Sequence, residues 1–196
     1  MSAVDLALES RARLSLGRGH DRIQKLVASL LAARNATGTL VDAGCGTGDL
    51  FRATGGRFPR CVGLDAVRYP ELPPDVIFHQ VNLDERLPLV DATADATAAV
   101  ETIEHLENPR AFVRELARIT KPGGWIVLTT PNQLSALSLM TLLVKGRFSA
   151  FQERDYPAHR TALLEIDLIR IARECGLRDI TARFTNHGRI PGTPWR

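Results

Sequence analysis

Two stretches of this 196-residue chain combine residue types and spacings that could bind and activate a small molecule. The first is residues 41–50 (VDAGCGTGDL), where an apolar lead is followed by glycines at the alternate positions Gly44, Gly46 and Gly48. Without Cβ atoms the backbone can adopt positive φ values and approach a ligand closely. If a helix follows, its first N–H groups are free to bind that ligand. The stretch is therefore predicted to be a ligand-binding loop.

The second stretch places Glu101, Glu104 and His105 at positions i, i+3 and i+4. On a helical turn these three side chains point to one side. Two carboxylates and an imidazole could hold a hard divalent ion that lowers the pKa of an acceptor hydroxyl, or His105 could act alone as the base. The alternative is a structural role, in which Glu104 and His105 only cap the chain or form local hydrogen bonds.

The hydrophobic pattern predicts the elements that position these residues. Apolar runs predict strands at 39–43, 60–64, 76–81, 94–100 and 125–130, and a sixth at 178–185. Helices are predicted at 21–34, from Asn108-Pro109 to 122–124, at 134–144 and at 163–175. Because strands and helices alternate, we expect an α/β fold with a doubly wound, mostly parallel sheet in three layers.

Polar residues lie at the ends of four predicted strands, namely Asp42, Asp65, Asn82 and Glu101. Ligands of doubly wound sheets bind outside the carboxyl ends of the strands, so we expect these side chains to converge on one crevice. Asp65 stands about 20 residues after the first loop glycine, which is the spacing of a ribose-binding carboxylate in dinucleotide folds.

The charge around the glycine loop distinguishes between two kinds of ligand. A nicotinamide-dinucleotide dehydrogenase has the pattern G-x-G-x-x-G and binds a pyrophosphate at the helix start. Here the third glycine comes one residue early, and Asp42 and Asp49 flank the loop. Negative charge there repels a pyrophosphate and attracts an ammonium or sulfonium group. The pattern therefore disfavours a dehydrogenase, and it also disfavours a simple tight turn.

Length and composition favour a single domain over residues 1–196, with an N-terminal arm (1–20), a lid or acceptor segment (133–160) and a tail (186–196). The formal net charge is only +3 and the basic residues are scattered, so nucleic acid is a disfavoured partner. Three cysteines without a C-x-x-C pair favour a reduced, cytoplasmic setting without structural zinc. We expect neither a signal peptide nor a transmembrane segment.

Several ordered motifs resemble those of class I S-adenosylmethionine-dependent methyltransferases of the methyltransferase type 11 kind. They are the glycine loop, Gly63-Leu64-Asp65, residues 101–106 (ETIEHL), residues 121–124 (KPGG) and residues 129–132 (TTPN). The similarity covers roughly residues 20–185. It implies S-adenosylmethionine as the cofactor and S-adenosylhomocysteine as the product.

The resemblance also implies where the cofactor binds. Its methionine part would lie beside Asp42 and the loop residues Gly44, Cys45, Gly46, Thr47 and Gly48. Asp65, followed by Ala66, would accept the ribose hydroxyls. Asn82 and the backbone of Leu83 would face the adenine, and Glu101 completes the predicted cofactor site. The family usually has Asp where this chain has Asn82, but an amide oxygen can still accept a hydrogen bond from the adenine amino group.

The E-x-x-E-H element resembles that of ubiquinone-pathway O-methyltransferases and of small-RNA 3′-terminal 2′-O-methyltransferases, which add a distant histidine. His159 stands where that histidine would fall, so the resemblance implies a divalent metal site of Glu101, Glu104, His105 and His159. We expect O-methylation of a small-molecule or glycan-like acceptor, with Glu101, Glu104 and His105 as catalytic residues. A non-catalytic cofactor-binding regulatory module and an RNA-modifying methyltransferase stay open as alternatives.

Two segments of the chain carry separate predictions. For residues 134–144, a helix packed against the sheet is favoured over an apolar lid or an interfacial helix. The sheet of the family ends with a sixth strand and an antiparallel seventh strand beside the fifth, yet residues 186–196 contain no apolar strand. We therefore expect a shortened sheet with an unpaired edge beside the fifth strand, and a tail that is mobile or covered by a partner. The oligomeric state is left open.

Overall fold

A parallel sheet of five strands forms the centre of the computed structural model, which describes residues 9–10, 12–13 and 20–185. The strands are β1 (Thr39–Ala43), β2 (Arg60–Asp65), β3 (Ile77–Gln80), β4 (Ala94–Val100) and β5 (Thr120–Thr129). Their order across the sheet is β3-β2-β1-β4-β5, with every neighbouring pair parallel. The strand order therefore reverses between β1 and β4, which opens a crevice at their carboxyl ends.

Helices cover both faces of this sheet. They are α1 (Asp21–Ala33), α2 (Asp49–Ala53), α3 (Pro109–Ile119), α4 (Ala136–Lys145) and α5 (Glu165–Glu174), with 3₁₀ turns at Ile103–His105 and Glu153–Asp155. One apolar cluster packs the α1 and α2 side of the sheet, and a second packs the α3 and α5 side. The three-layer, doubly wound α/β fold predicted from the sequence is thus confirmed. None of the described helices combines the length and the apolar character needed to cross a bilayer.

Helix α3 illustrates how local sequence sets an element. The Asn108 side chain accepts a hydrogen bond from the Ala111 N–H (3.0 Å), and Pro109 occupies the first helical position. Asn at the N-cap and Pro at the first helical position are favourable because they satisfy or remove N–H groups that lack a partner within the helix. Phe112 and Leu116 then lie buried against the sheet.

The prediction of a sixth strand at 178–185 is wrong, and β5 begins five residues earlier than predicted. Residues 178–185 are irregular and mostly exposed. Among the described residues, 178–185 form no ladder with any strand of the sheet, although their apolar and polar residues alternate. Strand β5 extends back to Thr120, which pairs with Ala94, and residues 121–124 bulge out before Trp125 pairs with Ala96.

Helix α4 contradicts the expectation that residues 134–144 pack against the sheet. Leu137, Met140 and Leu143 are 70%, 65% and 86% exposed, and Ser138 is the buried residue of this helix. The helix begins beyond the carboxyl end of β5, where the sheet has already ended. Its apolar side chains therefore have no strand to cover. The predictions for the tail (186–196) and for most of the arm (1–20) concern residues outside those that the structure describes.

Candidate active site

The glycine loop joins β1 to α2 in a conformation that requires glycine. Gly44, Gly46 and Gly48 have φ values of 86°, 49° and 83°. A Cβ atom on Gly44 would lie 2.3 Å from Oγ1 of Thr102, and one on Gly48 would lie 2.6 Å from Cδ of Pro73. The positive φ values and the close neighbours together exclude larger residues at these two positions.

Asp65 ties the loop to the end of β2. Its Oδ2 accepts a hydrogen bond from the Gly46 N–H (2.9 Å), and its Oδ1 accepts one from the Val67 N–H (3.2 Å). Burial raises the pKa of Asp65, and the hydrogen bonds from the backbone of Gly46 and Val67 oppose that rise. Because each carboxylate oxygen has two lone pairs, Asp65 keeps acceptor capacity toward the cleft that it lines.

Asp42 lies behind the loop and not in the wall of the cleft. It is only 2% exposed, and its Oδ1 has no hydrogen-bond partner among the described residues. Burial, followed by the charges of Asp65 and Asp49, raises the pKa of Asp42 to about 8. A cation bound near these three carboxyl groups would favour the charged form of Asp42. The unpaired oxygen and the acidic surroundings therefore fit a cationic ligand.

The carboxyl ends of β1, β2 and β4 open onto one cleft, which is lined by Asp65, Asn82 and Glu101 but not by Asp42. Nine of the predicted site residues line it: Gly44, Cys45, Gly46, Asp65, Ala66, Asn82, Leu83, Glu101 and His105. The loop residues Thr47 and Gly48 do not, and the buried Thr47 hydroxyl lies 3.1 Å from the Asp49 carboxylate. The Asn82 side chain is held by two hydrogen bonds: its Oδ1 accepts from the Asp84 N–H, and its Nδ2 donates to the Glu85 carboxylate.

Sequence reasoning missed several residues that line the cleft: Gln24, Asp84, Thr102, Leu106, Pro157 and Ala158. Gln24 had a usable signal, because it is the single polar member of the buried stripe of α1, whose other members are Val27, Ala28 and Leu31. Its Oε1 has no partner among the described residues. Pro157 and Ala158 had no signal, because they reach the cleft through an irregular segment about fifty residues along the chain from His105.

Glu104, His105 and His159 come together beside this cleft. One candidate ligand atom of each residue lies within 4.8 Å of those of the other two. The rings of His105 and His159 meet edge to face with centroids 4.8 Å apart. Backbone hydrogen bonds join the two segments that carry these residues. The N–H groups of Arg160 and Thr161, which follow His159, donate to the Glu104 carbonyl at 2.9 and 3.0 Å.

Both histidines have a defined tautomer. Nδ1 of His105 lies 2.9 Å from the Ala158 carbonyl oxygen, and Nδ1 of His159 contacts the Ala150 carbonyl oxygen. A carbonyl oxygen only accepts hydrogen bonds, so each Nδ1 carries the hydrogen and each Nε2 keeps its lone pair in the neutral ring. Burial lowers the pKa of His105, and the neighbouring His159 lowers it further. His105 is therefore neutral near pH 7 and can accept a proton or bind a metal.

Glu104 and Glu101 have different surroundings. Glu104 is 1% exposed, its Oε2 has no partner among the described residues, and burial raises its pKa to about 7. Glu101 does not join the group of Glu104, His105 and His159. It has a φ of 50°, and its carboxylate lies 3.3 Å from Nδ1 of His20. The predicted helical spacing fails because the chain becomes helical only at Ile103.

Comparison with known proteins identifies the chain's relatives. A family described as "Methyltransferase domain" matches residues 16–182. A protein of Mycobacterium tuberculosis (strain H37Rv) named as a probable S-adenosylmethionine-dependent methyltransferase is 31% identical, and the match covers 89% of this chain and 69% of that protein. A ubiquinone biosynthesis O-methyltransferase of Paracidovorax citrulli is 26% identical over 53% of this chain and 48% of its own length.

Solved structures agree on the fold. An S-adenosylmethionine-dependent methyltransferase from Archaeoglobus fulgidus superimposes with a TM-score of 0.59 at 20% identity, covering 80% of this chain and 70% of that one. The sequence matches extend from before α1 to beyond α5, so they include the glycine loop, Asp65 and the E-x-x-E-H element. The chain therefore belongs to the class I S-adenosylmethionine-dependent methyltransferases, and S-adenosylmethionine is its cofactor.

Proposed function

We propose that this methyltransferase transfers the methyl group to a hydroxyl oxygen of a small-molecule or glycan-like acceptor. The observation that carries the proposal is the free Nε2 of His105, a neutral base whose ring lines the cofactor cleft. Methylation of a hydroxyl needs a proton acceptor, because the oxygen must lose its hydrogen when the new bond forms. The similarity to proteins named as ubiquinone biosynthesis O-methyltransferases supports attack by oxygen.

The residues of this chain perform two tasks in the proposed reaction. S-adenosylmethionine supplies a methyl group already activated by the sulfonium, so the S–CH₃ bond breaks as the O–CH₃ bond forms. The glycine loop, with Asp65, fixes the donor in the cleft, which reduces the entropic cost of alignment. Nε2 of His105 takes the proton of the acceptor hydroxyl, and the Ala158 carbonyl keeps the imidazole oriented by accepting from Nδ1.

As an alternative to proton transfer by His105, the group of Glu104, His105 and His159 fits a divalent metal ion, because the Nε2 lone pair of His105 can either bind a metal or accept a proton. An unpaired buried carboxylate oxygen and two histidines with free Nε2 atoms form a suitable donor set, and the Ala158 and Ala150 carbonyls would orient the imidazoles. Such an ion would lower the pKa of an acceptor hydroxyl.

Metal analysis of protein purified without chelator tests this part. We expect a divalent ion in the wild type and its loss in Glu104→Ala and His159→Ala. Glu101→Ala should retain the ion, because Glu101 lies outside the group. Metal-free protein with full turnover, unaffected by added divalent ions, would leave His105 as the base without a metal.

Turnover with defined acceptors tests the reaction itself. We expect release of S-adenosylhomocysteine with phenolic or sugar hydroxyl acceptors, and a product heavier by one methyl group on oxygen. His105→Gln should reduce kcat by roughly a hundredfold or more, as expected for loss of a general base, while calorimetric binding of S-adenosylhomocysteine stays intact. The matched control is His79→Gln, because His79 is a half-buried histidine of β3 that does not line the cleft.

Two outcomes would contradict the proposal. Cofactor binding without turnover of any acceptor would favour the regulatory module. Methylated RNA together with steeply salt-dependent RNA binding would favour the RNA-modifying enzyme, because phosphate contacts release counterions.

A further inference from the structure

Helix α4 and Leu134, two residues before its start, expose an apolar ridge. The ridge consists of Leu134, Leu137, Met140, Leu143 and Val144, which are 54%, 70%, 65%, 86% and 80% exposed. Spacings of three and four residues place these side chains along one side of the helix. Single exposed apolar residues are ordinary, but a contiguous row of five large ones marks an interaction surface.

The helix that carries the ridge is well defined at both ends. Ser135 caps its N-terminus by accepting a hydrogen bond from the Ser138 N–H (3.2 Å). Gly146 ends it in the left-handed conformation and donates to the Leu142 carbonyl (2.8 Å). Ser138 is buried, and its hydroxyl accepts a hydrogen bond from the Ser149 N–H (3.2 Å). Ser138 therefore faces the protein together with the half-buried Leu139 and Leu142, and the apolar ridge faces outward.

The charge around the ridge favours one kind of partner. Residues 132–152 contain no Asp or Glu, and their two charged residues are Lys145 and Arg147, directly after the ridge. Arg147 is paired with the Glu153 carboxylate (2.6 Å), so the positive charge next to the ridge comes from Lys145. Lys145 is exposed at the last turn of the helix. A helix with an exposed apolar ridge, no acidic residue and a lysine in its last turn suits the interface of an anionic lipid bilayer.

We propose that the α4 ridge inserts into the surface of an anionic membrane and holds the enzyme there without spanning the bilayer. Helix α4 follows β5 at the carboxyl edge of the sheet, which is also the edge where the cofactor cleft opens. Docking through the ridge therefore places the cleft near the lipid surface. This inference concerns an interaction surface and does not depend on which atom of the acceptor is methylated.

Vesicle sedimentation with the full chain tests the proposal. The probes are vesicles of phosphatidylcholine alone and vesicles of phosphatidylcholine mixed with phosphatidylglycerol. We expect wild-type protein to sediment with the mixed vesicles, and binding should weaken as salt increases. Leu143→Glu combined with Val144→Glu should weaken partitioning roughly tenfold or more, because two apolar side chains no longer enter the interface. Lys145→Gln should weaken it less.

Val90→Glu is the matched control, because Val90 is 77% exposed but lies before β4, at the opposite edge of the sheet. It should bind vesicles like the wild type, and binding of S-adenosylhomocysteine should be unchanged in all variants. Wild-type protein that stays in the supernatant with both vesicle types overturns the proposal. The proposal is also overturned, in favour of a protein partner, if the wild type binds no vesicles but forms a dimer or a protein complex. In that case Leu143→Glu combined with Val144→Glu would dissociate the complex.

Discussion

At the scale of single residues, Gly44 is the loop position with the least space. We expect Gly44→Ala to reduce the affinity for S-adenosylhomocysteine by roughly tenfold or more, because the methyl group meets Thr102 and the φ of 86° is strained for alanine. Isothermal calorimetry measures the affinity, and thermal unfolding measures the accompanying loss of stability.

Gly56→Ala is the control for that substitution. Gly56 also has a positive φ (76°), but no atom lies within 4 Å of an added Cβ. We expect it to lower stability by about 1 kcal/mol and to leave cofactor affinity unchanged. If both variants bound the cofactor like the wild type, the close contact between Gly44 and Thr102 would not shape the binding loop.

Asp42 is expected to reduce the stability of the cofactor-free protein at high pH. Its pKa is 3.8 in a model peptide and about 8 in the folded protein, so the folded state binds this proton more tightly. The stabilisation by this proton is fully present below about pH 4. It decreases as the pH rises from there and is lost once the pH has passed about 8. We expect Asp42→Asn, which does not ionise, to raise the melting temperature more at about pH 8 than at about pH 4.

The same variant should bind S-adenosylmethionine more weakly, because the buried negative charge that attracts the sulfonium from behind the loop is gone. Asp42→Asn would thus show the stability–activity trade-off that is common at functional sites, with greater stability and lower affinity. Equal melting-temperature changes at both pH values would show that the buried carboxyl does not titrate as described.

At the scale of elements, Arg118 attaches helix α3 to the segment before β4. Its guanidinium donates to the Leu87 and Leu89 carbonyls (3.1 and 2.8 Å) and to the Glu115 and Asp91 carboxylates. The side chain is only 17% exposed. We expect Arg118→Met to lower the free energy of unfolding by roughly 2–3 kcal/mol, because it leaves half-buried acceptors unpaired.

Arg110→Met is the matched control on the same helix. Arg110 pairs with Glu174, but both side chains are 52% exposed, so the substitution should cost less than about 1 kcal/mol. Urea unfolding measures both changes. Equal losses from the two variants would mean that the carbonyl contacts of Arg118 add nothing to its stabilising effect.

At the scale of the whole molecule, the outer edge of β5 has no partner strand in the described part of the chain. The Thr129 carbonyl accepts from the Glu101 N–H and so faces β4, as alternate residues such as Val127 do. The N–H groups of Ile126 and Leu128 therefore face the open edge. We predict that hydrogen exchange of Ile126 and Leu128 is much faster than that of Val127.

Equal protection of all three amides would mean that the edge is covered. Size-exclusion chromatography would then separate the two possible covers, because a partner adds mass and residues 186–196 do not. A regular seventh strand formed by those residues would contradict the predicted shortened sheet.

The sequence by itself determined most of the helices and strands and the position of the glycine loop. Apolar runs place β1 and β4 at the residues where the structure has them, because the period of side-chain burial in each run is a local property. The glycine loop and Asp65 were likewise predictable, since a positive-φ turn and an acidic residue after the next strand leave marks at fixed spacing. The cofactor that they imply is that of the family.

Only the tertiary structure decided which distant groups meet and which apolar faces stay open. His159 reaches His105 through an irregular segment whose path no local pattern encodes, and Glu101 stays outside their group because the chain becomes helical only at Ile103. Residues 178–185 alternate like a strand but need a ladder partner, and α4 is apolar but begins where the sheet ends. Periodicity reports that a face is apolar, whereas the presence of a neighbour to cover it depends on the whole fold.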